Sequence, residues 1–189
     1  METTGTKKIR GFTLLELLVV LVVGGSLLAF GVPAFQSVVA DQRSTTVINE
    51  LIESMILARS EAIKRGRYVS VCISTDGLAC SAGADWDDGW IIFVTASASP
   101  GTVDAGDQIV RVHQALSGPV NIATLGNINS FVSFRPVGTT GTNAVNFSGT
   151  LTLCDQNSYT GPRGLVISPS GRIQVSRTVD HQGQPLVCA

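Results

Sequence analysis

The sequence predicts an α+β protein: a long N-terminal hydrophobic α-helix packed on a C-terminal antiparallel β-sandwich. Three observations point to this. An almost unbroken apolar run extends from Phe12 to Phe35. An apolar repeat in three- and four-residue steps then continues to about Lys64. Beyond Gly66 the period shortens, and short β-type segments alternate with Gly, Pro, Asn and Asp clusters to the C-terminus.

The first run has the dimensions of a membrane span. Leu17 to Val32 carries no charge and one hydroxyl, Ser26. About 20 apolar residues cross a bilayer as a helix, at a rise of about 1.5 Å per residue. Lys7, Lys8 and Arg10 precede the run, which predicts a cytoplasmic leader and a translocated C-terminus. A secretory signal peptide has a similar layout. Against it, only Ala29 to Ala34 approaches a small-residue cleavage site, and Glu16 sits inside the run. A carboxylate in hydrocarbon costs about 2.5–3.5 kcal/mol, so Glu16 calls for a partner unless it lies at the headgroups. Gly24, Gly25, Gly31 and Pro33 lower helix stability locally, and Pro33 is expected to kink or loosen the helix.

The second run is amphipathic. Ile48, Leu51, Met55, Ala58 and Ala62 share one face. Arg43, Asn49, Glu50, Glu53, Arg59, Glu61 and Lys64 lie elsewhere, and Gly66 is the expected stop. The predicted strands are 68–73, 90–94, 109–113, 120–122, 131–134, 145–154, 165–168 and 172–175. Residues 95–106, small and polar, read as an exposed loop.

A formal net charge of −1 over 189 residues suggests no particular partner, but its distribution is uneven. No Lys or Arg occurs between Tyr68 and Val110, where Asp76, Asp85, Asp87, Asp88, Asp104 and Asp107 fall. From Arg111 onward the only acids are Asp155 and Asp180, against Arg111, Arg135, Arg163, Arg172 and Arg177. Cys72, Cys80, Cys154 and Cys188 all follow the apolar run, an even number that suggests two disulfides in an oxidising compartment. Three connectivities are open. Cys72–Cys80, closing a hairpin-sized loop, and Cys154–Cys188, pinning the tail, are favoured. Without a CxxC pair, and with only His113 and His181 to assist, a zinc site is disfavoured.

The stretch Arg10-Gly11-Phe12-Thr13-Leu14-Leu15-Glu16-Leu17 resembles the processing site of type IV pilins and type II secretion pseudopilins. Asp85-Trp86-Asp87-Asp88-Gly89-Trp90 and the strand after it resemble the GspH/FimT-type minor pilins and pseudopilins, as does Ala58-Arg59-Ser60-Glu61-Ala62. The resemblance implies a leader at 1–11, cut between Gly11 and Phe12 by a prepilin peptidase that methylates Phe12. Residues 12–35 then form the transmembrane and filament-core half of the helix, 36–66 its amphipathic half, and 67–189 the β domain. It further implies that Glu16 guides assembly by pairing with the amine of Phe12, in the same or a neighbouring subunit. The implied location is the bacterial inner membrane, single-pass with a periplasmic C-terminal domain, from which the chain enters a pilus or pseudopilus. The implied role is a minor pilin that helps initiate a type IV pilus; the alternative is a GspH-type minor pseudopilin. Other minor and major pilins or pseudopilins are the expected partners.

No catalytic constellation is legible: there is no GxSxG elbow and no phosphate-binding glycine loop. Asp85, Asp87 and Asp88 begin like a calcium loop, but no Glu closes it. Trp86 and Trp90 read as packing residues, on one face if the strand reaches back to Trp86. No cofactor and no metal are expected. One polar segment stands out, Ser170 to Arg177, with Arg163 upstream. Some FimT-like minor pilins bind DNA through a Gly-Arg-x-Arg motif. Gly171 and Arg172 match it, while Gln174 replaces the second arginine. Arg163, Arg172 and Arg177 are therefore the candidate DNA contacts.

Overall fold

The computed structural model describes residues 12–95 and 101–188. It contains one α-helix, α1 (Leu14–Arg65), followed by β1 (Tyr68–Ile73), a 3-10 turn (Trp86–Asp88), β2 (Trp90–Thr95), β3 (Gln108–His113), β4 (Val120–Gly126), β5 (Phe131–Phe134), β6 (Gly149–Asp155), β7 (Arg163–Ile167) and β8 (Ile173–Ser176). The chain divides into two compact units at Val39/Ala40.

In the first unit, α1 opens on a Thr13 cap: the Glu16 amide donates to Thr13 Oγ1 at 3.2 Å. The helix runs through Pro33 without interruption. Its apolar side chains from Leu14 to Leu28 have no partner within the unit and are exposed. Length and composition, with a mean hydropathy of 2.4 over its best window, suit it to crossing a membrane.

The second unit carries the core. Val47, Ile48, Leu51, Met55, Ala58 and Ala62 of α1 share one buried cluster with Val69, Val71, Trp90, Ile92 and Val132 of one sheet and Ile122, Leu151, Leu153 and Leu165 of the other. Both sheets are antiparallel and four-stranded, in the orders β3-β2-β1-β5 and β4-β6-β7-β8. The helix ends at Gly66, whose φ of +62° suits glycine. The Arg67 amide there bonds back to the Ala62 carbonyl, the six-to-one closure of a Schellman motif. β2 is buried on both faces, hence its unalternating sequence Trp-Ile-Ile-Phe-Val-Thr. Ile91, Phe93 and Cys72 form a second small cluster behind the first sheet.

Several boundaries depart from expectation. β6 starts at Gly149, not residue 145. The carbonyls of Val145 and Phe147 accept from the side chains of Arg135 and Thr140, and Ser148 N–H donates to Asn127 Oδ1, so these groups leave the strand ladder. β4 is longer than expected, because all seven of its residues pair with β6. Thr95 is not in an exposed loop: it ends β2 and is buried. Residues 96–100 of that expected loop lie outside the described residues. Trp86 does not extend β2 backward. It sits in the 3-10 turn, closed by Asp85 N–H to Asp88 Oδ2 at 3.0 Å. Gly89 separates the two tryptophans because a Cβ there would lie 2.7 Å from the His113 carbonyl oxygen.

Candidate functional site

The residues singled out by sequence fall into separate regions. At the N-terminus, Gly11 lies outside the described residues. Phe12 is exposed, and Glu16 occupies the first turn of α1. A carboxylate there faces the positive end of the helix dipole. The Thr13-x-x-Glu16 spacing is that of a capping box, a signal the sequence reading passed over.

The cysteines pair as Cys72–Cys80 and Cys154–Cys188, with Cα separations of 5.6 and 5.7 Å. Cys72 lies on the back of the first sheet, so its bridge holds the loop after β1 against the Ile91/Phe93 cluster. Within that loop Asp76 Oδ1 accepts the amides of Leu78 and Ala79, at 2.8 and 3.0 Å. These bonds hold its carboxyl below the ordinary range. Cys154 lies on β6, and its bridge anchors a C-terminal strap over the outside of the second sheet. Leu186 of the strap packs on Gly164, where a Cβ would lie 2.9 Å from its side chain. Asp180 organises the strap, accepting from the amides of Gln182 and Gln184 at 2.8 and 2.9 Å.

Arg163, Arg172 and Arg177 are not one group. Arg163 is buried, donating to Asp41 at 2.5 Å and to Thr45 Oγ1 at 3.0 Å. It is a structural cation joining β7 to α1, and its candidacy as a DNA contact is withdrawn. Sequence could not show this, since Asp41 lies 122 residues away. Arg172 and Arg177 are exposed and flank β8, an edge strand. Neither guanidinium has a partner among the described residues. Gly171 has a packing reason: a Cβ there would lie 2.0 Å from the Gly138 carbonyl oxygen. Arg135, also in the basic half, is occupied by Asn146 and the carbonyls of its neighbouring loop.

The acidic triplet is likewise engaged. Asp87 Oδ1 receives the Ile122 amide at 3.4 Å, and Asp88 closes the 3-10 turn. Trp86 donates to the Asn129 carbonyl at 3.0 Å and Trp90 to Ser54 Oγ at 2.9 Å, both from within the core. His113 stacks on Trp90 with ring centroids 3.8 Å apart, and faces Glu50 Oε2 through Nε2 at 3.2 Å.

Two stretches of the chain match known families. Residues 6–32 match the prokaryotic N-terminal methylation motif. Residues 47–171 match the family described as type II transport protein GspH, and the chain belongs to that GspH family. The family comprises structural minor pilins and pseudopilins, not enzymes. Among solved structures, the type IV minor pilin FimU of Pseudomonas aeruginosa is 25% identical, with a TM-score of 0.49, covering 72% of this chain and 84% of that one. A second crystal form of FimU gives 22% identity, a TM-score of 0.46 and coverages of 72% and 89%. The minor pseudopilin EpsH of the Vibrio cholerae type 2 secretion system gives 12%, 0.49, 71% and 97%. No curated protein sequence matches.

Proposed function

We propose that the chain is a minor pilin of a type IV pilus. It is inserted in the inner membrane with its C-terminal domain in the periplasm. A prepilin peptidase cuts it between Gly11 and Phe12, and it then helps initiate the filament. The observation that carries this reading is the bare apolar surface of α1 from Leu14 to Leu28, interrupted by one carboxylate, Glu16. So large an apolar surface needs lipid or neighbouring helices to cover it. In hydrocarbon the carboxylate needs a cation, and the amine created at Phe12 is the nearest in sequence. Residues 12–35 serve as membrane and filament core, 36–66 bind the β domain, and 67–189 form the exposed head.

Two measurements test this. Mass spectrometry of the membrane-extracted protein is expected to find methylated Phe12 as the first residue. The processed chain is also expected in sheared surface pili, where Glu16→Ala reduces its amount without blocking cleavage. An uncut Met1 rejects the processing site. A chain missing from pili whose deletion stops exoprotein secretion makes it a GspH-type pseudopilin instead.

The exposed arginines beside β8, unpartnered among the described residues, support a second role, which we propose as DNA binding by Arg172 and Arg177 during uptake.

A further inference from the structure

A cleft of about 310 Å³ opens between α1 and the segment joining β3 to β4, lined by Arg43, Thr46, Val47, Glu50, Leu116 and Ser117, with His113 beside Glu50. Arg43 is half-buried, yet its guanidinium has no hydrogen-bond or ion-pair partner among the described residues. The other described arginines fall into two groups. Arg59, Arg65, Arg111, Arg135 and Arg163 are paired. Arg67, Arg172 and Arg177 are exposed to water. Among the described arginines, Arg43 alone is partly buried with no partner for its guanidinium, whose nitrogens still reach water.

The local backbone accommodates that guanidinium. Gly118 has a φ of +95°, and a Cβ there would lie 2.9 Å from Arg43 Cζ. The side chain therefore rests against a bare glycine. Glu50 lies seven residues along the helix, about 10 Å away along the axis, and its carboxylate is engaged by His113. One end of the cleft thus offers a cation with free donors. The Thr46 hydroxyl is already donated to the Gln42 carbonyl at 3.0 Å, but the Ser117 hydroxyl and apolar surface from Val47 and Leu116 lie beside the cation. A carboxylate on a short hydrocarbon stem satisfies all of these, since a charge-assisted fork on Arg is the strong way to bind one.

We propose that this cleft receives a glutamate-type side chain from a neighbouring subunit of the assembly, with Arg43 supplying the ion pair. The site itself rests on geometry; the identity of its occupant rests on the assembly reading above.

The test uses the full chain in detergent micelles and the ring resonances of its two histidines. His113 borders the cleft, and His181 lies on the C-terminal strap as an internal control. The probe is the capped tripeptide Ala-Glu-Ala, with Ala-Gln-Ala as its neutral counterpart. The glutamate peptide is expected to shift His113 saturably and leave His181 unmoved. The glutamine peptide and the Arg43→Gln variant are expected to lose the shift, and Arg43→Lys to keep part of it. An unmoved His181 resonance in the variants checks folding. No shift, or an equal shift with the neutral peptide or with Arg43→Gln, overturns the site. In cells, Arg43→Glu is expected to lower the chain's content in filaments several-fold. Unchanged content alongside positive peptide binding overturns the subunit as occupant. The assembly reading fails separately, if the unaltered chain never enters filaments.

Discussion

Arg163 and Asp41 form an ion pair at 2.5 Å that joins the middle of the second sheet to the helix. The arginine side chain is 5% exposed and the aspartate 50%. The two ends of the pair are therefore not equivalent. Removing the aspartate leaves a buried guanidinium with only Thr45 as partner, whereas the aspartate alone would be solvated.

Asp41→Ala is accordingly expected to destabilise the second unit by about 1–3 kcal/mol, below the range for a fully buried pair because Asp41 is half-exposed. Glu53→Ala breaks the more exposed Arg111 pair, with side chains 46% and 63% exposed, and is expected to cost under about 1 kcal/mol. Urea unfolding of both variants checks the order. Equal effects would show that burial of Arg163 does not set the cost.

This pair also marks where sequence reading stops. The apolar stripe from Ile48 to Ala62 was legible because helical period and burial are coupled residue by residue. Gly66 was legible because a helix stop needs its positive φ. The core strands were legible because β-type residues crowd between turn residues. The start of β6 was not, because side chains of Arg135 and Asn127 take over backbone groups between Asn143 and Ser148. Arg163 was misread for a similar reason. Its charge looked free in a stretch with few acids, while its partner sits far upstream in the helix. The Trp90–Ser54 bond and the cleft at Arg43 are long-range juxtapositions of the same kind.

The two disulfides close loops of different length, with sequence separations of 8 and 34. On loop-closure entropy the Cys154–Cys188 bridge is expected to contribute about 4 kcal/mol and the Cys72–Cys80 bridge about 2.5 kcal/mol. Paired serine variants compared by urea unfolding check this order. Amide exchange gives a local reading: loss of the longer bridge is expected to free residues 179–186 first, since the strap's remaining ties are few hydrogen bonds.

The same strap carries a pH dependence. Burial pushes the Asp180 carboxyl upward. The amides of Gln184 and Gln182, the charge of His181 and the Gly183 amide outweigh it and hold the group below its ordinary value of 3.8. A depressed folded-state value means that the contribution to stability is fully present above the unfolded value. It is lost as pH falls through the folded one. Amide protection of Gln182 and Gln184 is therefore expected to persist near neutrality and to fall only below about pH 4. Asp180→Asn is expected to remove that acid step. A loss of protection that survives in Asp180→Asn would instead place the acid step on another group.

The proposed DNA contact makes the most specific claim about the exposed head. Arg172 and Arg177 bracket β8 and stand five residues apart, about 16 Å along an extended strand. By strand alternation their odd separation puts them on opposite faces, so each offers its own cation at the sheet edge, with Gln174 between them and no base-reading pair of arginines. Binding through two phosphates is expected to be independent of sequence. On duplex DNA its logarithmic salt slope should be about −1.8. Arg172→Ala and Arg177→Ala should each lower that slope by about 1, and the double variant should abolish binding. Arg163→Met, which removes the buried cation, should leave the slope unchanged wherever the variant folds. Electrophoretic mobility shifts at several salt concentrations measure the unaltered protein and the four variants. A salt-dependent slope that survives in the double variant would move the contact elsewhere on the head. Binding by none of them at low salt would leave these arginines as solvated charges on an edge strand, where cations discourage unwanted pairing.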